Sequence, residues 1–306
     1  MSSPTGPASG LPVRMPRPRQ AGRHRRPEPL AAPEGAPALV LAVPGTPSAA
    51  TRSLAEEVVS IARSELPGLD ARIGYLDGDN EFPTLQSVLA HAAEERTARF
   101  EQARAAGSDV SAPDGPVGIV VPLLAGPDGA LLRRIRQAVM ESRVAAELTD
   151  VLGPHPLLAE ALHVRLSEAG LARADRARLF TVATAADGIV LATVGGEDAV
   201  QAAGITGMLL AARLAVPVMA AALDEEGSIA AIAEQLRGSG SQQLALAPYL
   251  IGPELDAGLL DAAAKEAGCS AAEALGPYPA IGKLALSQYT SALGIAPPQP
   301  QGAPAF

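Results

Sequence analysis

Tryptophan is absent, aromatic residues make up 3% of the 306 positions, and the single cysteine is Cys269. So few rings leave no material for the stacking platforms that bind single-stranded nucleic acid. One thiol excludes an intrachain disulfide and a thiolate metal cluster, a usage that fits a reducing, cytoplasmic location. Lysine is nearly missing too, with Lys265 and Lys283 alone, and the net charge of -9 excludes nucleic acid and anionic membrane as expected partners. No apolar run approaches the ~18 residues of a membrane span. The Arg-rich N-terminus is broken by prolines and has no apolar stretch behind it, unlike a signal peptide.

What is present is a hydrophobic fraction of 48%, carried by Ala, Leu and Val, in a chain long enough for two domains with proper cores. Residues 1–37 are rich in Pro, Gly, Arg and Ser and are expected to be a disordered tail. Six arginines against Glu28 and Glu34 give that tail about +4, so the remainder carries about -13. Residues 296–306 read as a second disordered end.

Between the tails, short apolar runs alternate with helical patterns. Strands are expected at 38–43, 71–76, 117–124 and 147–152, and helices at 48–66, 84–106, 131–146 and from the 153–156 turn through 166. The second half repeats the order: strands at 188–194, 216–223 and 243–250, and a helix at 257–267. Pro122 matches Pro248, and Leu152-Gly153-Pro154-His155-Pro156 returns as Leu275-Gly276-Pro277-Tyr278-Pro279. Alternating β and α with apolar strands calls for an α/β fold: two similar lobes, 38–170 and 188–295, joined by a linker at 171–187. Each lobe has a parallel sheet flanked by helices, with a cleft between the lobes.

Ligands of such sheets bind beyond the carboxyl ends of the strands. The expected cleft residues are therefore Gly45, Thr46, Asp77, Gly126, Gly129, Gly195, Tyr249 and Tyr278. Carboxylates stand in these turns as Asp77, Asp79, Glu81, Asp128, Glu254 and Asp256. They read as caps and loop residues, and as ligands they would suit Mg²⁺ or Ca²⁺. Thr46 and Thr51 with Arg52, or the Gly195-Gly196 turn, could cradle an anion at a helix start. Arg133, Arg134 and Arg136 form a basic patch. No three-glycine dinucleotide fingerprint, Walker, Ser-His-Asp or zinc spacing is present. Of four histidines, His24, His91 and His163 read as surface or packing residues, and His155 alone stands at a strand-to-helix turn facing the cleft. Its replacement by Tyr278 in the repeat favours a structural role.

The segments VLAVPGT at 40–46, VVP at 120–122 and LGPHPLLAEAL at 152–162, with the LGPYP echo at 275–279, resemble the sirohydrochlorin chelatase family of the CbiX and SirB type, in its long two-lobed form. The likeness spans residues 38–290, and the Ala- and Arg-rich composition is of the high-GC, actinobacterial kind. The resemblance implies insertion of Co²⁺ or Fe²⁺, as substrate, into sirohydrochlorin for cobalamin or siroheme synthesis. The family places imidazoles after the first strand and after the VVP strand, as base and metal donor. Pro44 and Ala130 hold those positions here. Catalytic residues are thus unassigned, with His155, Asp128 and Glu254 as weak candidates, and no metal ligand or cofactor is identified. Two readings stay open: a chelatase using other groups, or a non-catalytic relative that binds a tetrapyrrole or another polyanion as carrier, sensor or scaffold.

Overall fold

The computed structural model describes residues 31–33, 35–108, 114–172, 185–254 and 258–295. The first half runs β1 (Ala38–Val43), α1 (Ala49–Glu65), β2 (Ala71–Tyr75), α2 (Leu85–Ala105), β3 (Gly118–Pro122), α3 (Gly129–Glu141), β4 (Ala146–Leu148) and α4 (Pro156–Glu168). The second runs β5 (Gly188–Thr193), α5 (Gly196–Leu214), β6 (Val218–Ala222), α6 (Ser228–Gly238), β7 (Leu244–Pro248), α7 (Leu259–Ala267), β8 (Ser270–Ala271) and α8 (Pro279–Ala292). The strands form two four-stranded parallel sheets of like order, β2-β1-β3-β4 and β6-β5-β7-β8.

The continuous apolar runs take the inner positions, where both faces are covered. β1 and β5 are buried at every residue. Pro122 pairs across from Ala42 and Pro248 across from Ala192. Each proline is the last residue of its strand, where the missing N–H no longer interrupts the ladder.

Alternation along β1 splits its side chains between two cores. Ala38, Val40 and Ala42 face α2 and α3, while Leu39, Leu41 and Val43 face a larger core shared by both lobes. That shared core holds side chains of α1, α4, α5 and α8 together. Its helices are exchanged: α8, from the second half, packs on α1 and β3, and α4, from the first half, packs on α5 and β7. The sequential halves 38–170 and 188–295 are therefore not separate packing units. Two reciprocal hydrogen bonds mark the exchange. Arg165 of α4 donates through Nε and Nη2 to the Leu275 carbonyl, at 3.1 and 2.9 Å. Gln288 of α8 donates to the Val151 carbonyl at 2.9 Å.

Several boundaries differ from expectation. The fold begins before residue 37: Ala32 N–H donates to the Pro67 carbonyl at 2.9 Å, and the Tyr289 hydroxyl donates to Pro37 O at 2.7 Å. Helix α3 starts at Gly129 and stops at Glu141, not 131–146. The Asp128 side chain caps its start, and Arg143, in a left-handed conformation (φ 57°), ends the turn that follows. The fourth strand covers only Ala146–Leu148, because beyond it pairing with β3 survives only as isolated hydrogen bonds from Thr149 and Leu152. Of the expected linker, Leu171, Ala172 and Ala186 pack against the shared core, and the Asp187 carboxylate accepts from Gln242 and Gln243 N–H. Residues 173–184 and most of both expected tails lie outside the described residues. No helix among the described residues is long and apolar enough to cross a membrane.

Candidate functional site

The turns at the carboxyl ends of the strands meet directly across the lobe boundary. Gly45, after β1, has φ +76°, and a Cβ there would lie 1.8 Å from the Pro253 carbonyl oxygen, after β7. Gly195, after β5, meets the β3 turn in the related way: its Cβ would lie 2.8 Å from Pro127 O and 2.9 Å from Asp128 Cα. Only glycine permits either approach. The first-strand turn of each lobe is thus seated on the third-strand turn of the other. The expected open cleft is reduced to a seam.

On the first-lobe side the seam widens into a cavity of ≈ 580 Å³, within the range of small-molecule sites. Gly45, Thr46 and Asp77 line it, joined by Ser48, Thr51, Leu131, Arg134 and the Gly252-Pro253-Glu254 turn. Much of its polarity is already engaged. Ser48 and Thr51 form a reciprocal capping box at the start of α1, with Thr51 N–H donating to Ser48 Oγ at 3.2 Å and Ser48 N–H to Thr51 Oγ1 at 2.8 Å. Arg134 pairs with Asp77, both about half exposed. An exposed pair of this kind contributes little, so its guanidinium can turn to another anion at small cost. Arg52 does not face an anion cradle: it pairs with Glu81 at 3.0 Å and lies over the Phe82 ring, 4.3 Å from its centroid.

The turn carboxylates serve the backbone. Asp128 Oδ1 accepts from Ala130 and Leu131 N–H at 2.8 and 2.9 Å, capping α3. Asp79 accepts from Glu81 and Phe82 N–H, and these bonds hold its carboxyl below the usual range. Glu254 takes Ile251 N–H at 2.6 Å and Gly252 N–H at 2.9 Å. Burial at the seam pushes its carboxyl up despite those donors, and nearby Asp128 pushes it the same way. Asp224 accepts from Gly195 N–H at 3.0 Å, which fills the expected cradle of the Gly195-Gly196 turn. Asp256 lies outside the described residues.

None of the described histidines reaches the cavity. His155 is the N-cap of α4, its Nδ1 accepting from Leu157 N–H at 3.1 Å, and burial holds its pKa below the ordinary value. His163 is buried between α4 and α5, where Arg213 Nε donates to its Nδ1 at 2.7 Å. His91 is on the surface beside Glu95 at 2.9 Å. Pro44 is buried and Ala130 is exposed in the first turn of α3, and neither lines the cavity. Among the described residues no group of three or more His, Cys, Asp or Glu could hold a metal ion.

The remaining expected residues lie elsewhere. Tyr249 is fully buried, with Thr206 donating to its hydroxyl at 3.2 Å, and burial raises its pKa to about 12. Its ring covers Gly126, so both belong to the lobe interface and not to an open wall. Tyr278 precedes Pro279 at the start of α8 and packs on the shared core. Gly129 opens α3. Of the arginine patch only Arg134 faces the cavity; Arg133 and Arg136 line a separate depression with Met140 and Arg143 on the outer face of α3. The turn at 251–256 is one of the strand-end turns the sequence points to, but of its residues only Glu254 and Asp256 stand out there, and the wall itself is built by Gly252 and Pro253.

No family model matches the sequence, and no curated protein matches it. Among solved structures, the fold is similar to that of the sirohydrochlorin chelatase SirB from Bacillus subtilis subspecies spizizenii in complex with cobalt. The TM-score is 0.56 at 12% identity, covering 87% of this chain and 98% of that one. A periplasmic ribose ABC transporter protein from Conexibacter woesei (TM-score 0.29, 15% identity, 85% and 70% covered) is far less similar. So is the branched-chain amino acid binding protein LivJ from Streptococcus pneumoniae (TM-score 0.23, 13% identity, 82% and 82% covered). The SirB likeness establishes a chelatase-like, two-lobed α/β fold.

Proposed function

We propose that this protein binds an anionic, tetrapyrrole-type ligand at the lobe seam and does not insert metal into it. The observation behind this reading is the donor set of the cavity wall. It offers the Thr46 hydroxyl and the Arg134 guanidinium, and no imidazole or thiolate. Metal insertion needs a base for the pyrrole N–H protons and a donor that passes on a divalent ion. Asp128 and Glu254 are held by backbone N–H groups, each described histidine is engaged elsewhere, and Asp77, released when Arg134 turns to a ligand, is a lone hard oxygen donor with no nitrogen or sulfur beside it. Thr46 and Arg134 suit a carboxylate-bearing ring instead, since guanidinium and carboxylate make strong charge-assisted hydrogen bonds.

Titration with metal-free sirohydrochlorin, followed by its absorption spectrum, tests the binding reading. A saturable spectral shift is expected, weakened about tenfold in Arg134→Ala, the scale of one lost hydrogen bond to a charged group. A spectrum that does not respond, or a shift indifferent to Arg134, contradicts it.

A further inference from the structure

The second lobe carries an exposed, uncharged apolar surface that the first lobe lacks. Of the four large hydrophobic side chains exposed among the described residues, three lie on α5: Ile205 at 44%, Met208 at 66% and Leu209 at 40%. From Ala199 to Ala212 that helix has no charged residue, in a chain where 19% are charged. The matching helix of the first lobe, α1, shows water Glu56, Glu57, Ser60 and Arg63 instead. Gly204, in the middle of α5, has nothing within 4 Å of where its Cβ would be. A mid-helix glycine costs about 1 kcal/mol against alanine, and nothing in its own fold needs the space.

The adjoining strand shows the same contrast. β2 and β6 are equivalent edge strands of the two sheets. The rim of β2 is closed: Arg63 donates to Ala71 O at 2.5 Å, and Tyr75 N–H donates to Pro83 O at 2.9 Å. Arg72, held by Asp70 and Glu95, adds charge to it. Charges and covers of this sort keep edge strands from pairing. β6, Val-Met-Ala-Ala-Ala, has no charge. Ile189 N–H bonds Pro217 O and Leu223 N–H bonds Thr193 O, so the alternate residues Val218 and Ala220 turn their backbone outward. Ser228 Oγ accepts from Ala222 N–H, and no other hydrogen bond among the described residues closes this rim.

Helix and strand form one surface. A Cβ on Gly207 would touch Val218 at 3.3 Å, which marks the side of α5 toward β6. Going round the helix from Gly207 come Ala211, Gly204 and then Met208, so small residues lead from the strand to the exposed stripe. We infer that this surface is a homodimer interface in which β6 pairs antiparallel with β6 of a second copy and the two α5 helices meet beside the two-fold axis. The area favours this occupant. A 19-residue helix is about 28 Å long and about 10 Å wide, giving about 280 Å² per partner against about 800 Å² for a standard interface. The partner must therefore engage the β6 rim as well, and an identical edge does so over its whole length. Charge agrees: two molecules of net charge -9 repel, and this uncharged face is where a second copy approaches at least cost.

Sedimentation velocity of the full chain, from low to several hundred micromolar and at low and high NaCl, tests the inference. The expected result is a shift from 31.0 kDa to twice that mass, strengthened by salt as repulsion is screened. Met208→Glu and, separately, Ala220→Arg should each raise the dissociation constant about tenfold or more, with thermal melts followed by circular dichroism confirming that both variants fold. A monomer at every concentration, the outcome if a different protein or another part of the chain covers the face, overturns it. So does a dimer that both variants leave unchanged, or one that salt dissolves.

Discussion

Gly153 has no room for a side chain: a Cβ would lie 2.2 Å from the Tyr249 hydroxyl, 2.5 Å from Leu158 Cδ1 and 2.6 Å from Ala125 O. The LGPHP turn of one half is thereby wedged against a buried tyrosine of the other. Gly153→Ala should destabilise the protein by about 3 kcal/mol, at the upper end of overpacking costs, read from the midpoint of urea unfolding. An unchanged midpoint would mean that the turn is not wedged there. His155, two residues on, is a capping residue, and its direction of titration gives a second prediction. Burial lowers its folded pKa below the unfolded value of about 6.5. Its stabilising contribution is therefore complete above about pH 6.5 and declines as pH falls from there toward the lower folded pKa. Protonation of Nδ1 also removes the acceptor for Leu157 N–H. In His155→Asn, which can still cap the helix, this pH-dependent loss should vanish, while His155→Ala should cost about 1 kcal/mol at pH 8. Equal pH profiles for wild type and His155→Asn would contradict the assignment. The structural role of His155 was legible from its exchange with Tyr278 in the repeat. The burial of Tyr249 was not, because its apolar run QLALAPYL does not say which side of the seam the ring enters.

At the level of elements, strands and helices followed from local pattern: β1 and β5 are short apolar runs ending at turns, and Ser48, Thr84 and Asp128 cap the helices they precede. The exchange of α4 and α8 did not follow. Both helices begin with proline after the same phrase, and an apolar face fits either sheet equally well. Only the long-range partners decide it, among them the Arg165 bonds to Leu275 and the Gln288 bond to Val151. The exchange makes each sheet depend on the other half for a covering helix. Calorimetry at a concentration where the chain is monomeric should therefore show one cooperative unfolding transition, with the calorimetric and van't Hoff enthalpies equal. Arg165→Ala should lower the midpoint by about 2 kcal/mol in free energy, the worth of a charged hydrogen-bond donor, without splitting the transition. Two separate transitions would mean that the lobes are independent.

For the whole molecule, alternating β and α and the repeated phrases made the two-lobed α/β fold legible, and the fold is similar to that of a sirohydrochlorin chelatase at 12% identity. The candidate site was only partly legible. Gly45, Thr46 and Asp77 follow from the rule that ligands lie at strand ends. Pro253, which meets Gly45, is more than two hundred residues from it, and although its turn reads as a strand end, nothing local says that the two turns touch. The narrowing of the cleft depends on which turns meet, Gly45 with Pro253 and Gly195 with Asp128. The side chains lining the cavity include no imidazole, and the proposed function rests on that. The most direct test mixes the purified protein with sirohydrochlorin and Co²⁺ and follows the absorption spectrum against a protein-free control. The spectrum should shift on binding, with cobalt inserted no faster than in the control. Insertion accelerated by the protein would contradict the proposed function.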